Sequence, residues 1–164
     1  MANFSVTINT SKVDKLLDDL EGKLQAMSNI CTDLCTIGAI EASLRYSRSP
    51  LDDRIPDIQV EVKVGNAKKD GYGSATVEAT GKEVLFSEFG SGIRYGAGHP
   101  DPHGYGMGTF PSDKGHWDNP KGWYYNDENG QKKHSYGNAP SCAMHEAAKK
   151  MVDSIPDVAK RYLK

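Results

Sequence analysis

No run in this 164-residue chain approaches the roughly 18 consecutive apolar residues that a membrane-spanning helix requires, so a bilayer is not expected as a partner. The opening Met1-Ala2-Asn3-Phe4-Ser5 is neutral and passes straight into alternation, so no basic-then-apolar secretory leader is expected. Cysteine is scarce too. Cys31, Cys35 and Cys142 make an odd set without a disulfide framework, and a reducing compartment is the simpler environment for them. An excess of one charge is also missing. The 20 Lys and Arg against 22 Asp and Glu give a formal −2, which offers no general attraction to nucleic acid or anionic membrane. Hydrophobic residues reach only 37%, so any core must come from a few segments. There is no internal repeat and no low-complexity run, and the length fits a single domain over 1–164.

Glycine and aromatics, by contrast, are plentiful and gathered in one place. Between Gly90 and Asn138 lie eleven of the seventeen glycines and eight of the fourteen Phe, Trp and Tyr residues. The stretch opens at Glu88-Phe89-Gly90-Ser91-Gly92, passes Trp117 and Trp123-Tyr124-Tyr125, and closes at Tyr136-Gly137-Asn138-Ala139-Pro140. Loops longer than about 12–15 residues are uncommon in compact domains and are usually functional or disordered. Disordered segments are poor in aromatics, so this loop is expected to order against something. Trp and Tyr join a large apolar face to a polar handle, chemistry enriched where proteins meet. Three uses stay open for them: packing within the loop, anchoring a subunit interface, or stacking on single-stranded nucleic acid. The loop's five basic and five acidic residues cancel, which weighs against the third.

The flanking periodicities predict ordinary elements. Phe4, Val6 and Ile8 alternate with polar residues as in a short strand, and Thr10 or Ser11 offers an N-cap for the helix that follows. Val13, Leu16, Leu17, Leu20, Leu24 and Met27 share one stripe, which Ile30, Leu34, Ile37, Ile40 and Leu44 continue. Residues 12–46 therefore read as one long helix, or two with a break near Ser28-Asn29, and the stripe is expected to pack into the core. Cys31 and Cys35, four apart, face one side of it as small buried residues. Pro50 and Pro56 bracket a polar link where the helix must end. Residues 58–64 and 74–80 alternate and predict a hairpin across the turn cluster at 66–71. Val84-Leu85-Phe86 reads as a third strand or one turn of helix. Residues 141–152 read as an amphipathic helix extended by Ile155, with Pro156 ending it or starting another turn over 157–163. Lys149, Lys150, Lys160, Arg161 and Lys164 collect at that end, where cations suit the helix dipole.

Catalytic patterns are thin. His99-Pro100-Asp101-Pro102-His103 would set three metal ligands on one face of a strand. Its two prolines favour the three-residue polyproline period instead, which spreads those side chains around the axis. His116 and His134 also lie in the loop, and Cys142 and His145 stand one helical turn apart. A metal-dependent enzyme built on His99, Asp101 and His103 is thus the alternative reading, although no Cys-x2-Cys spacing supports zinc. No Gly-x-Ser-x-Gly elbow occurs. Gly104-x-Gly106-x-Gly108 follows no expected strand, and Pro111 stands where the helix of a phosphate cradle would begin. Glu88, between Phe86 and Phe89, reads as a carboxylate that accepts hydrogen bonds from successive backbone N–H groups of the glycine turn. With Gly90 and Gly92 it would fix the loop's exit. No catalytic residue, metal or cofactor is expected.

Three segments in order resemble a known family, the head–tail joining proteins of tailed bacteriophages, also called neck or tail-completion proteins. Val84-Leu85-Phe86-Ser87-Glu88-Phe89-Gly90-Ser91-Gly92 is similar to the family's apolar run ending in Glu-Phe-Gly-Thr-Gly. The aromatic loop with Gly122-Trp123-Tyr124-Tyr125 is the second. Tyr136-Gly137-Asn138-Ala139-Pro140, leading into Ala143-Met144 and Ala147-Ala148, resembles the family's Gly-x-x-Pro and amphipathic C-terminal helix. One departure lies at residues 49–55, where family members often carry Pro-x-Asp-Thr-Gly-x-Leu and this chain lacks the Thr-Gly pair. The resemblance implies an α+β fold, with a small mostly antiparallel sheet flanked by a long N-terminal helix and a C-terminal helix. It further implies a virion protein without enzymatic activity, made in the host cytoplasm. Such a protein forms a ring, commonly of six copies, that meets neighbouring neck and tail-tube proteins and encircles passing DNA. Arg94, Trp117, Trp123, Tyr124 and Tyr125 are the residues expected at its interfaces.

Overall fold

One helix of 37 residues, α1 (Ser11–Ser47), forms the spine of the structure, a computed structural model that describes residues 11–49, 51, 55–92, 99–100, 119–127 and 129–163. The expected strand at Phe4, Val6 and Ile8 lies outside the described residues, as do Pro50 and residues 52–54 of the link. No break occurs at Ser28-Asn29. The Thr32 hydroxyl donates to the Ser28 carbonyl at 2.9 Å, and Gln25 reaches Asn29 across one turn, so local polar residues are absorbed within the helix. At its end the Arg48 and Ser49 amides donate back to Arg45 and Tyr46, a tightened last turn.

The first hairpin is as the alternation predicts. β1 (Gln59–Val64) pairs antiparallel with β2 (Ala75–Thr80), in a register that sets Val60 opposite Ala79 and Val62 opposite Val77. These side chains share one face by the two-residue period and turn toward α1. The connection holds a single helical turn, α2 (Ala67–Asp70), capped by the Asn66 side chain and closed by Gly71 in the left-handed region. A short helix α3 (Val84–Phe89) follows, which decides between the two readings of Val84-Leu85-Phe86. Inside the glycine-rich stretch a second hairpin appears, β3 (Trp123–Asn126) with β4 (Lys132–Ser135), so the antiparallel strands form two small sheets. α4 (Ala143–Tyr162) then runs through Pro156 without ending. The proline sits on an exposed position, where water can take the carbonyl its missing N–H leaves unpaired.

The fold is thus α+β, built from a long N-terminal helix, two antiparallel hairpins and a C-terminal helix. Its central core is made of small residues. Ala42, Ala143 and Ala147 are fully buried where α1 meets α4, with Tyr46 beside them and Ile58, Val60, Ala79 and Met144 around the edge. Alanines at the crossing let the helix backbones approach closely, and this is how a chain lean in hydrophobic residues closes a core.

Two expectations about burial need correction. The stripe of α1 is covered only in its middle, where Ile30 is buried and Leu24, Leu34 and Ile37 are half-buried. Leu16, Leu17 and Leu20 are 62%, 58% and 60% exposed, and Met27, Ile40 and Leu44 are also exposed. The reason lies in the partners. α4 and the first hairpin lie against the Gly38 and Ala42 side of α1, which leaves Ile40 and Leu44 on its outer side and the N-terminal leucines without a described element over them. Of the two cysteines, Cys35 is buried, whereas Cys31 is half-buried with its thiol directed at the Gly73 carbonyl at 3.4 Å.

Candidate functional site

The most tightly built place in the molecule is the point where α1, α3 and α4 converge on Glu88. Glu88 is 5% exposed. Tyr46, from the last turns of α1, donates its hydroxyl to Oε2 at 3.0 Å. The backbone N–H of Met144 donates to both carboxylate oxygens at 3.0 and 3.1 Å, and that of His145 to Oε1 at 3.2 Å. His99 Nε2 lies 3.0 Å from Oε1.

Glu88 therefore does accept from successive backbone N–H groups, but they belong to the first turn of α4 and not to the glycine turn that the sequence indicated. The physical reason is the helix end itself. The first N–H groups of a helix have no intrahelical partner and carry the positive end of its dipole. α4's own cap residue cannot serve them, because Cys142 makes no side-chain capping bond. The Cys142 backbone sits at φ 49°, a left-handed conformation rare for a residue with a side chain. Glu88 caps the helix from another element and ties α3 to α4. Two backbone bonds complete the splice, Ser141 N–H to Ser87 O at 2.7 Å and Cys142 N–H to Glu88 O at 3.3 Å.

Charge inside this junction moves the nearby groups in one direction. Burial, with the adjacent Glu88 carboxylate, pushes the Tyr46 phenol far above its ordinary range, so the hydroxyl stays protonated and donating. Burial and the same carboxylate push the Cys142 thiol up, opposite to what a nucleophilic thiolate needs. His99 packs against the Phe89 ring at 4.7 Å and edge-on to the His145 ring at 5.4 Å. Of the proposed metal set, His99 is thus engaged with Glu88, and Asp101, His103 and His116 lie outside the described residues. Among the described residues no group of three or more His, Cys, Asp or Glu is placed to hold a metal ion.

Gly90 and Gly92 follow directly and close the base of the long loop. Ser91 pairs with Asn138 through reciprocal backbone bonds of 2.9 Å. Both glycines have φ of 75°, and a Cβ at Gly90 would lie 2.7 Å from the Asn138 carbonyl oxygen. The Glu-Phe-Gly-Ser-Gly segment and the Gly-Asn-Ala-Pro segment, whose Ser91 and Asn138 are 47 residues apart in the chain, are therefore one structural unit in space.

No protein-family model matches the chain, and neither does any curated protein or solved structure.

From that closed base the β3–β4 hairpin carries the aromatic residues, and alternation sorts them. Trp123 and Tyr125 are half-buried and line a cavity of about 290 Å³ with Leu51 and Phe86. Tyr124 points the other way and is 66% exposed. The His134 ring meets it edge-on at 4.7 Å, Tyr136 meets His134 edge-on in turn at 4.5 Å, and the Lys132 ammonium stands 4.7 Å above the Tyr124 ring. The turn is pinned by Asp127, whose Oδ1 accepts the Asn129 and Gln131 N–H groups at 2.9 Å. The Gln131 N–H is the main cause holding that carboxyl below its usual range. Arg94 and Trp117, the other expected interface residues, lie outside the described residues. Tyr46 and His134 carry no motif that would single them out.

Proposed function

We propose that this chain is a structural joining protein of the head–tail junction of tailed bacteriophages, a ring subunit that meets its own copies and the neighbouring neck and tail-tube proteins. The observation that carries the reading is the convergence at Glu88. The segments on which the resemblance rests are remote in sequence, yet they meet as a single splice that holds the base of the aromatic loop against α4. A buried carboxylate whose bonds go to the α4 backbone, Tyr46 and His99 serves positioning, and what it positions is the hairpin. The outward ladder of Tyr124, His134 and Tyr136 has the mix of apolar face and polar handle that suits contact with protein. A ring uses head-to-tail contacts that close on themselves, and a hairpin standing on a fixed base reaches a neighbour without deforming its own core. DNA passing through the lumen is a further partner of this reading, with Lys149, Lys150 and Arg161 as exposed cations.

The test uses virions. Particles made without this protein should accumulate as filled heads and finished tails that do not unite, and purified protein should restore joining. Tyr124→Ala should lower joined particles while the purified variant unfolds at the parent's temperature. Normal joining in the protein's absence would remove the reading altogether.

A further inference from the structure

The apolar face of α1 outruns what covers it. Leu20 and Gly38 are eighteen residues apart, five whole turns at about 3.6 residues per turn, and so are Leu24 and Ala42. Gly38 and Ala42 are buried, and a Cβ at Gly38 would meet the Met151 side chain of α4. The same side of the helix, continued toward the N-terminus, presents Leu16, Leu20 and Met27 in the open, with Leu17 beside them. The chain's own α4 does not reach this stripe. Its end is tied to Asp33 by the Tyr162 hydroxyl at 2.9 Å. There Tyr162 and Leu163 face Asp18, Asp19, Gly22, Lys23 and Ala26 across a cleft of about 630 Å³, a row centred about a third of a turn round the helix from the leucines, so α4 flanks the stripe without covering it.

A second uncovered stripe of the same length lies on α4. Ala143, Ala147 and Val158 face α1 and are buried, whereas Ala148, Val152 and Ile155 are exposed and Ala159 continues the row half-buried. From Ala148 to Ala159 and from Leu16 to Met27 the span is the same eleven residues, about 17 Å of helix. The shapes are complementary, bulky side chains on α1 against a row flanked by alanines on α4. The charges are complementary as well. Residues 14–27 hold four acids and two lysines, a net −2, and residues 148–161 hold four bases and two acids, a net +2.

We propose that the exposed arm of α1, residues 14–27, lies helix-on-helix along the outer face of α4 of a second copy of this chain. The two stripes differ, so the contact is head-to-tail and leaves each copy one stripe for the next neighbour. Within the ring reading it is the contact between successive subunits; as a contact between copies it stands without that reading.

The experiment is the mass of the purified protein in solution, with Leu20→Lys on the arm and Val152→Lys on α4. Both positions are exposed and lysine is a good helix former, so each variant should unfold with the parent. The parent should assemble, and each variant alone should lose assembly at least about tenfold. Mixed in equal amounts, the two should give a dimer and no larger species, because only the Val152→Lys arm and the Leu20→Lys α4 remain able to pair. A parent that stays monomeric overturns the proposal. So does a Val152→Lys variant that assembles like the parent, which marks arm-on-arm pairing, or a mixture that stays monomeric. Head–tail joining in virions decides the joining reading separately, whichever result the mass measurement gives.

Discussion

The two halves of α1 carry the same kind of apolar stripe and meet opposite fates. From Ser28 to Tyr46 the helix is clamped: Ser28 lies under the Gly73 backbone, Ala42 is sealed by α4, and Tyr46 is bonded to Glu88. From Asp14 to Met27, Leu16, Leu17 and Leu20 stand open and Leu24 is half-buried. The difference teaches that periodicity specifies which face of a helix is apolar and nothing about what that face is for. In the clamped half the decisive residues are small or polar (Ala42, Gly38, Tyr46). In the open half they are large and aliphatic, the reverse of a simple ranking by hydrophobicity.

The largest effect should come from breaking the clamp at its polar end. Glu88→Ala removes the acceptor for Tyr46, His99, Met144 N–H and His145 N–H at once and leaves buried donors unpaired. Removing one partner from such a buried charged network costs about 3–5 kcal/mol, read as a fall in urea midpoint at unchanged slope. Glu88→Gln keeps the shape without the charge and should fall between. A loss under about 1 kcal/mol for the alanine variant, within the reach of ordinary surface-like substitutions, would show that the splice is incidental.

The border between the halves can be probed at Gly73, where the first hairpin rests on the helix. A Cβ there would lie 2.6 Å from Ser28 N and 2.7 Å from the Met27 carbonyl carbon. Both are backbone atoms and cannot step aside as a flexible side chain would. Gly73→Ala should therefore push the hairpin off α1 and cost about 1–3 kcal/mol, with faster amide exchange across β1 and β2. Unchanged exchange would mean that the hairpin is not seated at this point.

How much of this was legible follows from the range of each cause. The helices, the first hairpin and its turn depend on periods and caps within a few residues, and those were readable. Glu88 was readable as a carboxylate serving backbone N–H groups, because an acid beside a glycine turn between two phenylalanines has few other uses. Its true donors were not, since Met144 lies 56 residues away and only the folded chain brings the α4 terminus to it. The pairing of Tyr46 with Glu88 across 42 residues was hidden for the same reason. The β3–β4 hairpin was missed because the glycine density read as loop and neither Trp123–Asn126 nor the wholly polar Lys132–Ser135 alternates apolar with polar residues. Burial of Leu16 and Leu20 was the wrong inference, because it assumed that an apolar face implies a cover within the same chain.

The smallest effect belongs to the open half, and its smallness is the point. Leu20 is 60% exposed, so Leu20→Lys strips little buried area and adds a residue that suits a helix. The isolated fold should change by no more than about 0.5 kcal/mol, as for surface positions without special contacts. A leucine normally costs about 2–5 kcal/mol when its burial is lost, so the two halves of one helix would differ by several-fold for a residue of the same type on the same face. If Leu20→Lys instead destabilises the monomer by that larger amount, the arm is covered within its own chain and the comparison between the halves fails. If the monomer is untouched and assembly is lost, the open leucines find their cover in another copy, and the stripe is completed between molecules.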